Sequence, residues 1–119
     1  MHSHILLTAT LDVNNPLLTN IVFGRSFLIE WVKMNNMSII GEPLMHKFKS
    51  ERNCVDKPGG ISGLVLLCES HASIHTYPET GKMYADIFSC KDLDKDKNIG
   101  FIKLYEPHNI DMKLISRDM

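Results

Sequence analysis

The stretch Ile61-Ser-Gly-Leu-Val-Leu-Leu-Cys-Glu69 decides the fold, because it is the clearest strand in the sequence. It is rich in valine and leucine, and a short apolar run of this length is typical of a strand. Two further strands are predicted over 71–76 and 83–90, and a turn around Pro78–Gly81 separates them. The centre of the chain therefore predicts strands joined by short turns.

A strand and a helix are predicted before this centre. Ile5–Leu11 mixes β-branched and apolar residues, which is typical of a strand. Asn14-Asn15-Pro16 predicts a helix start, because asparagine can cap a helix and proline fits a first helical turn, where its missing N–H costs nothing. Apolar residues spaced three or four apart then predict one amphipathic helix over 17–34.

The other segments complete a predicted α+β fold. The order of strand, helix and then mostly strands favours a two-layer α/β sandwich with an antiparallel sheet packed against one or two helices. The 119 residues fit a single domain over 1–119. The remaining expected segments are strands over 37–42 and 43–48, a polar loop over 49–60, a solvated connection over 91–98, a short helix over 99–105 and an edge strand over 109–116.

Charge and hydropathy exclude several classes of protein. Lys and Arg number 13 and Asp and Glu 14, so no basic excess predicts binding to nucleic acid or to an anionic membrane. The longest apolar runs, such as Leu64–Cys68, are far shorter than the ~20 residues of a membrane-spanning helix. Met1–Leu7 lacks the basic segment of a signal peptide. We therefore expect a cytoplasmic protein.

Neither a disulfide framework nor a metal site is expected. The cysteines are odd in number, at Cys54, Cys68 and Cys90, and they include no CxxC pair. His71 and His75 have HxxxH spacing, but they fall in a predicted strand and lack the acidic residue of an HExxH motif. A cysteine with a function here is therefore expected to act as a thiol.

The run Asp92–Asn98 is similar to the start of a calcium-binding loop. Its sixth position is Lys97 rather than glycine, and the twelfth position of the loop is Lys103 rather than glutamate. Because two required features of such a loop are missing, this run predicts a solvated turn rather than a calcium site.

Residues 68–90 concentrate side chains that act as nucleophiles or bases. A serine and a histidine four or five residues apart in a hairpin can approach each other, as a Ser/His/acid hydrolase requires. The GxSxG elbow of many hydrolases is absent from the sequence. The residue types alone leave open both a catalytic site and ordinary strand and turn residues. The side chains concerned are Cys68, Glu69, Ser70, His71, His75, Glu79 and Cys90.

A longer pattern favours the catalytic interpretation. The chain has GxSG from Gly60, then ESH from Glu69, then IHT-aromatic-PE ending at Glu79, then D-x-F-x-C ending at Cys90. This order and spacing resemble the prokaryotic-type S-adenosylmethionine decarboxylases over about 30 residues. The segment Met45–Phe48 is similar to the family's H-x-F segment, and the rest of the chain fits more loosely.

The resemblance implies that the chain cuts itself between Glu69 and Ser70. The Ser70 hydroxyl would attack the Glu69 carbonyl, and elimination would release residues 1–69, the beta chain, from residues 70–119, the alpha chain. The alpha chain would then begin with a covalently bound pyruvoyl group derived from Ser70. By the same resemblance, Ser62 assists this processing and His75 removes the Ser70 α-proton.

The resemblance also implies how the cut enzyme acts on S-adenosylmethionine. A pyruvoyl carbonyl supplies the electron sink that decarboxylation beside an amine requires, through a Schiff base to that amine. Cys90 would return a proton to the substrate carbon. Glu79 would accept hydrogen bonds from the ribose hydroxyls, and Phe48 would stack on adenine. The product would be the aminopropyl donor for spermidine synthesis.

In the family the active site forms between two protomers, so a homodimer is expected. Ser70 and Cys90 would come from one chain, and the other named residues would come from its partner. A domain of this size buries only about two-thirds of its unfolded surface, so oligomerisation would add stability. The sequence departs from the family at Tyr77, where tryptophan is common, in a longer loop over 49–59, and in a short C-terminal region.

Two other functions remain open at this point. Pyruvoyl chemistry on ornithine or arginine would need the same processing residues, and only Phe48 and Glu79 favour the nucleoside substrate. A non-catalytic subunit that activates a partner decarboxylase is less favoured. Such a subunit would be expected to lose the processing pair or its base, whereas Glu69, Ser70 and His75 are all present.

Overall fold

The computed structural model describes residues 2–49 and 59–117. Within these ranges the chain forms six strands, two α-helices and one 3-10 turn, which spans Pro16–Leu18. The predicted loop over 49–60 lies mostly outside the described residues, as does Cys54. In chain order the elements are β1 (His2–Thr10), α1 (Ile21–Met34), β2 (Ile39–Lys47), β3 (Ile61–Leu67), β4 (Ser70–Tyr77), β5 (Lys82–Ser89), α2 (Lys95–Lys103) and β6 (Asn109–Arg117).

The six described strands form one antiparallel sheet in the order β2-β3-β4-β5-β1-β6. This confirms the predicted α+β class and the two-layer arrangement. The predicted edge strand at 109–116 is β6, which pairs only with β1 among the described strands. The first strand is β1, so the sheet brings the two ends of the described chain together.

The two faces of the sheet have different surroundings, because successive side chains in a strand point to opposite sides. One is the helix-covered face: a Cβ added at Gly63 would lie 3.0 Å from Leu28 of α1. Its strand residues, such as Ile5, Ile74 and Ile87, are fully buried. The other face, called the open face below, carries His4, Leu6, Ser62, Leu64, Leu66, His71, Ser73, His75, Tyr84, Asp86 and Phe88, none of which is fully buried.

Helix α1 begins later than predicted. The Asn15 side chain accepts a hydrogen bond from the Leu17 backbone N–H, but it caps only the 3-10 turn. A second asparagine, Asn20, caps the α-helix by accepting from the backbone N–H groups of Val22 and Phe23. Two capping side chains five residues apart thus divide one predicted helix into a turn and a helix.

The two strands predicted over 37–42 and 43–48 are a single strand, β2. Its register against β3 shifts between Ile40 and Leu44, as at a β-bulge. Gly41 lies within this shift with a φ of 72°, a left-handed conformation that glycine adopts without steric cost. Glycine therefore allows the strand to bend and continue where the sequence pattern suggested a break.

Helix α2 begins inside the run that was predicted to be a solvated connection. The Asp94 side chain caps it by accepting from the Lys97 backbone N–H at 3.0 Å. Asn98 is fully buried, and its Oδ1 accepts a hydrogen bond from Trp31 Nε1 at 2.7 Å. The prediction of a solvated run through residue 98 was therefore wrong, because a cap and a buried amide fix α2 against α1.

Neither described helix is long and apolar enough to cross a membrane.

Candidate active site

The Glu69–Ser70 bond lies at the turn between β3 and β4. Cys68 and Glu69 form this two-residue turn, and Leu67 pairs with Ser70 across it. Glu69 has a φ of 59°, in the left-handed region. For a residue with a side chain, this conformation costs roughly 1–2 kcal/mol. The backbone is therefore strained directly before Ser70.

Ser70 is the first residue of β4 and is held by the end of β5. Its side chain belongs to the helix-covered face, and the residue is only 9% exposed. The backbone N–H of Cys90 donates a hydrogen bond to Ser70 Oγ at 3.1 Å. Cys90 follows β5 directly and is a half-buried free cysteine. Antiparallel pairing of β4 with β5 thus brings together two residues that are 20 positions apart.

Ser62 and His75 form a second pair of predicted site residues. They lie directly opposite each other on β3 and β4, on the open face. Ser62 Oγ lies 2.9 Å from His75 Nδ1, within hydrogen-bond distance. The hydrogen bond uses Nδ1 of the ring, and no hydrogen bond within the described ranges involves Nε2.

The two pairs do not meet within one chain. Ser70 and His75 are five residues apart on one extended strand, a separation of about 17 Å. Their side chains also point to opposite faces of the sheet, because the offset is odd. His75 of a chain therefore cannot reach the Ser70 backbone of the same chain while the sheet stays intact.

Phe48 and Glu79 lie at the same end of the sheet as Ser62 and His75. Phe48 follows β2, is 45% exposed, and donates its backbone N–H to the Gly60 carbonyl at 2.9 Å. Its ring contacts the His46 ring edge-to-face, with centroids 4.6 Å apart. Glu79 is exposed in the turn between β4 and β5. Four of the predicted residues are therefore grouped at the end of the sheet opposite to Ser70.

The structure also assembles a polar cluster that the sequence pattern did not single out as a site. His4 Nε2 lies 2.7 Å from Asp86 Oδ2, and His71 Nε2 lies 3.2 Å from the same oxygen. Ser73 donates a hydrogen bond to the other carboxylate oxygen, Oδ1. Burial alone would raise the pKa of Asp86. The hydrogen bonds from Ser73, His4 and His71, together with the nearby imidazole charge, outweigh burial and lower it.

The HxxxH pair does not converge, although one of its members belongs to this cluster. His71 and His75 lie on the same face of β4, four residues apart, which separates them by about 13 Å. His71 meets His4 and Asp86 across neighbouring strands instead. The spacing of residues along the chain does not predict this contact, because it depends on strand order and register.

Comparisons with known proteins agree with this fold over nearly the whole chain. A family model described as S-adenosylmethionine decarboxylase matches residues 4–118. A solved structure, the adenosylmethionine decarboxylase from Aquifex aeolicus, is similar with a TM-score of 0.78 and 27% identity. The match covers 100% of this chain and 92% of that one.

Curated relatives match over shorter segments. A protein of Thermodesulfovibrio yellowstonii is 33% identical over 93 residues, covering 78% of this chain and 62% of the relative. A protein of Synechococcus sp. is 58% identical over 36 residues, covering 30% of this chain and 28% of the relative. Both are named S-adenosylmethionine decarboxylase proenzyme. In these alignments the chain spans less than two thirds of the length of either relative.

Proposed function

Since the chain belongs to the S-adenosylmethionine decarboxylase family, we propose that it cuts itself between Glu69 and Ser70 and then decarboxylates S-adenosylmethionine. The observation that carries this proposal is the contact between Ser70 and Cys90 at the end of the strained β3–β4 turn. A nucleophile beside a strained carbonyl suits the cut, and a thiol at the same place suits proton return.

The cut uses groups that the chain itself supplies. Ser70 Oγ bonds to the Glu69 carbonyl carbon as the C–N bond breaks and the hydroxyl proton passes to the released amine, which converts the amide into an ester. A base then removes the Ser70 α-proton, the Cβ–O bond breaks, and Glu69 leaves as a carboxylate. Hydrolysis of the resulting dehydroalanine releases ammonia and leaves pyruvoyl at residue 70. His75 Nε2 is the atom we assign as this base, and Ser62 orients the ring through Nδ1.

A homodimer resolves the distance between His75 and Ser70. In two copies packed through their open faces about a two-fold axis perpendicular to the strands, facing strands run in opposite directions. The Ser70 end of one chain then lies over the His75 end of its partner. Exposed apolar side chains on the open face support this contact, because water disfavours a large apolar patch. They are Leu6, Leu64, Leu66 and Tyr84.

We assign turnover to residues at the same shared site. Pyruvoyl, when formed, supplies the electron sink for decarboxylation beside an amine. Cys90 donates the proton that replaces the carboxylate on the substrate carbon. Phe48 offers an exposed ring for stacking on adenine, and Glu79 offers a carboxylate to ribose hydroxyls. This set of roles favours S-adenosylmethionine over ornithine or arginine, and an active enzyme over an activating subunit.

Intact mass tests the cut directly. Under denaturing conditions the purified protein is expected to give the masses of two fragments of 69 and 50 residues, which together make the 119 of the chain. The S70A variant is expected to stay whole. An uncut wild-type chain after prolonged incubation would contradict the proposal and would favour the activating subunit.

Co-expression tests the shared site. The S70A chain keeps His75, and the H75A chain keeps Ser70, so each alone is expected to remain uncut or to be cut slowly. In mixed dimers the H75A chain is expected to be cut at an increased rate, because its partner supplies the base. Distinct mass tags identify the cut chain. No gain in cutting over H75A alone would show that His75 does not act across a dimer.

Release of CO2 from three substrates tests specificity. We expect release from S-adenosylmethionine, and a raised KM for F48A and E79Q. Release from ornithine or arginine alone would assign the enzyme to those amino acids while leaving the cut intact.

A further inference from the structure

The cluster on the open face is built by three neighbouring strands. His4 lies on β1, Asp86 on β5 and His71 on β4, and β5 runs between the other two. His4 and His71 are both opposite Phe88, so the two histidines flank one residue of β5. One ligand atom from each of the three residues lies within 4.8 Å of the others.

The carboxylate is oriented for a ligand on the histidine side. Ser73 donates to Asp86 Oδ1, which leaves Oδ2 turned toward both imidazoles. A hydrogen bond to the outer oxygen of a ligating carboxylate is a common support in metal sites.

The two imidazoles are oriented by an aromatic ring between them. His71 stacks on Phe88 with an interplanar angle of 22°, and His4 meets Phe88 edge-on at 84°. Both rings direct Nε2 toward Asp86 Oδ2. In the single chain the side chains of His4 and Asp86 are 19% and 23% exposed, so the cluster is sheltered but reachable from solvent while the open face is uncovered.

We propose that His4, His71 and Asp86 bind one divalent transition-metal ion of the zinc type. Imidazole with carboxylate suits zinc, cobalt or nickel better than magnesium or calcium, which prefer oxygen ligands. Ligands about 2.1 Å from a tetrahedral zinc ion lie about 3.4 Å from each other. The 3.2 Å between His71 Nε2 and Asp86 Oδ2 nearly matches this spacing, whereas the 2.7 Å between His4 Nε2 and Oδ2 would have to widen by about 0.7 Å. Three protein ligands leave a fourth position for water.

The site ties β4 to β1 across β5. It lies four residues from His75 along β4, although His71 directly follows Ser70. Zn²⁺ binding is therefore measured in the uncut S70A chain as well as in the wild type, so that failure of the self-cut and failure of metal binding are distinguished.

The test measures metal binding by the whole protein after removal of metal with a chelator. Titration with Zn²⁺ by calorimetry is expected to give one ion per chain, and excess Mg²⁺ is expected not to compete. Co²⁺ is expected to give the visible absorption of a tetrahedral site. We expect H4A, H71A and D86N each to weaken Zn²⁺ binding at least about tenfold.

H108A is the matched control, because His108 is exposed in the connection before β6 and lies outside the cluster. Its affinity for Zn²⁺ is expected to equal that of the wild type. Circular dichroism checks the fold of each variant, and H4Q and H71N replace any variant that does not fold. Lack of saturable Zn²⁺ binding by the folded wild-type protein would overturn the proposal. Wild-type affinity for Zn²⁺ in all three cluster variants would also overturn it. The cluster would then be a hydrogen-bonded network only.

Discussion

The two faces of the sheet are held by different forces, and β4 shows both side by side. Ala72 and Ile74 are fully buried on the helix-covered face, whereas Ser73 and His75, which alternate with them, lie on the open face. Burial against the helices selects apolar side chains on the first face. Pairing between strands selects partners on the second, where Ser73 meets Asp86 and His75 meets Ser62. Stability is thus concentrated on one face, and most of the candidate chemistry lies on the other face and at the strand ends.

The largest expected effect comes from the buried side of β4. Ile74→Ala removes a fully buried side chain and is expected to lower the free energy of unfolding by about 2–5 kcal/mol, because a cavity remains. Urea unfolding in the S70A background, in which the chain is expected to stay whole, measures the change. A loss below about 1 kcal/mol would contradict tight packing on this face.

A smaller loss of stability is expected from a buried polar group between the two helices. Asn98→Ala leaves Trp31 Nε1 without its partner, and the expected loss is about 1–3 kcal/mol. The same urea unfolding measures it, with Lys97→Ala as the exposed neighbouring control. If both variants unfold alike, the buried amide does not fix α2 to α1.

On the outward side of β4, Ser73→Ala is the counterpart of Ile74→Ala. It removes one hydrogen bond to a half-buried carboxylate, so we expect a loss of about 1 kcal/mol. The measurement is made in metal-free buffer, so that the loss of the hydrogen bond is not mixed with a change in metal binding at Asp86. A loss as large as that of Ile74→Ala would remove the contrast between the two faces.

The smallest effect is expected at an exposed apolar residue of the open face. Leu64 is 42% exposed, so Leu64→Ser should change the free energy of unfolding by less than about 0.5 kcal/mol at low protein concentration. At high concentration a dimer through the open face would make the same substitution more costly. A sedimentation series over concentration separates the two regimes, and an unchanged dimer fraction would argue against that interface.

Much of the fold could be predicted because its signals are local. The β3–β4–β5 succession and the edge strand followed from runs of apolar residues and from turns. The errors arose where a single side chain altered a local pattern. Asn20 restarts the helix, Gly41 allows β2 to bend, and Asp94 begins α2 in a charged run. A sequence pattern shows that such residues can cap or bend, but not which of several neighbours does so.

The roles of the candidate site residues stay predictions, whereas the contacts among them can be compared with the structure. Ser70 with Cys90, and Ser62 with His75, were named as two groups from different chains, and the structure keeps the groups apart. That they act together across a dimer stays a prediction. The contact of His4 with Asp86 had no signal along the chain, because the residues are 82 positions apart and meet through strand order.

The strand order bears on what a cut at Glu69–Ser70 would leave behind. Residues 1–69 would keep β1, β2 and β3, and residues 70–119 would keep β4, β5 and β6. Because β1 lies between β5 and β6, a strand of the first piece would be paired on both sides with strands of the second piece. Separation would have to break the ladders β3–β4, β5–β1 and β1–β6 together. The severed protein would therefore hold as one body, while its unfolding, now yielding two molecules, would become dependent on concentration.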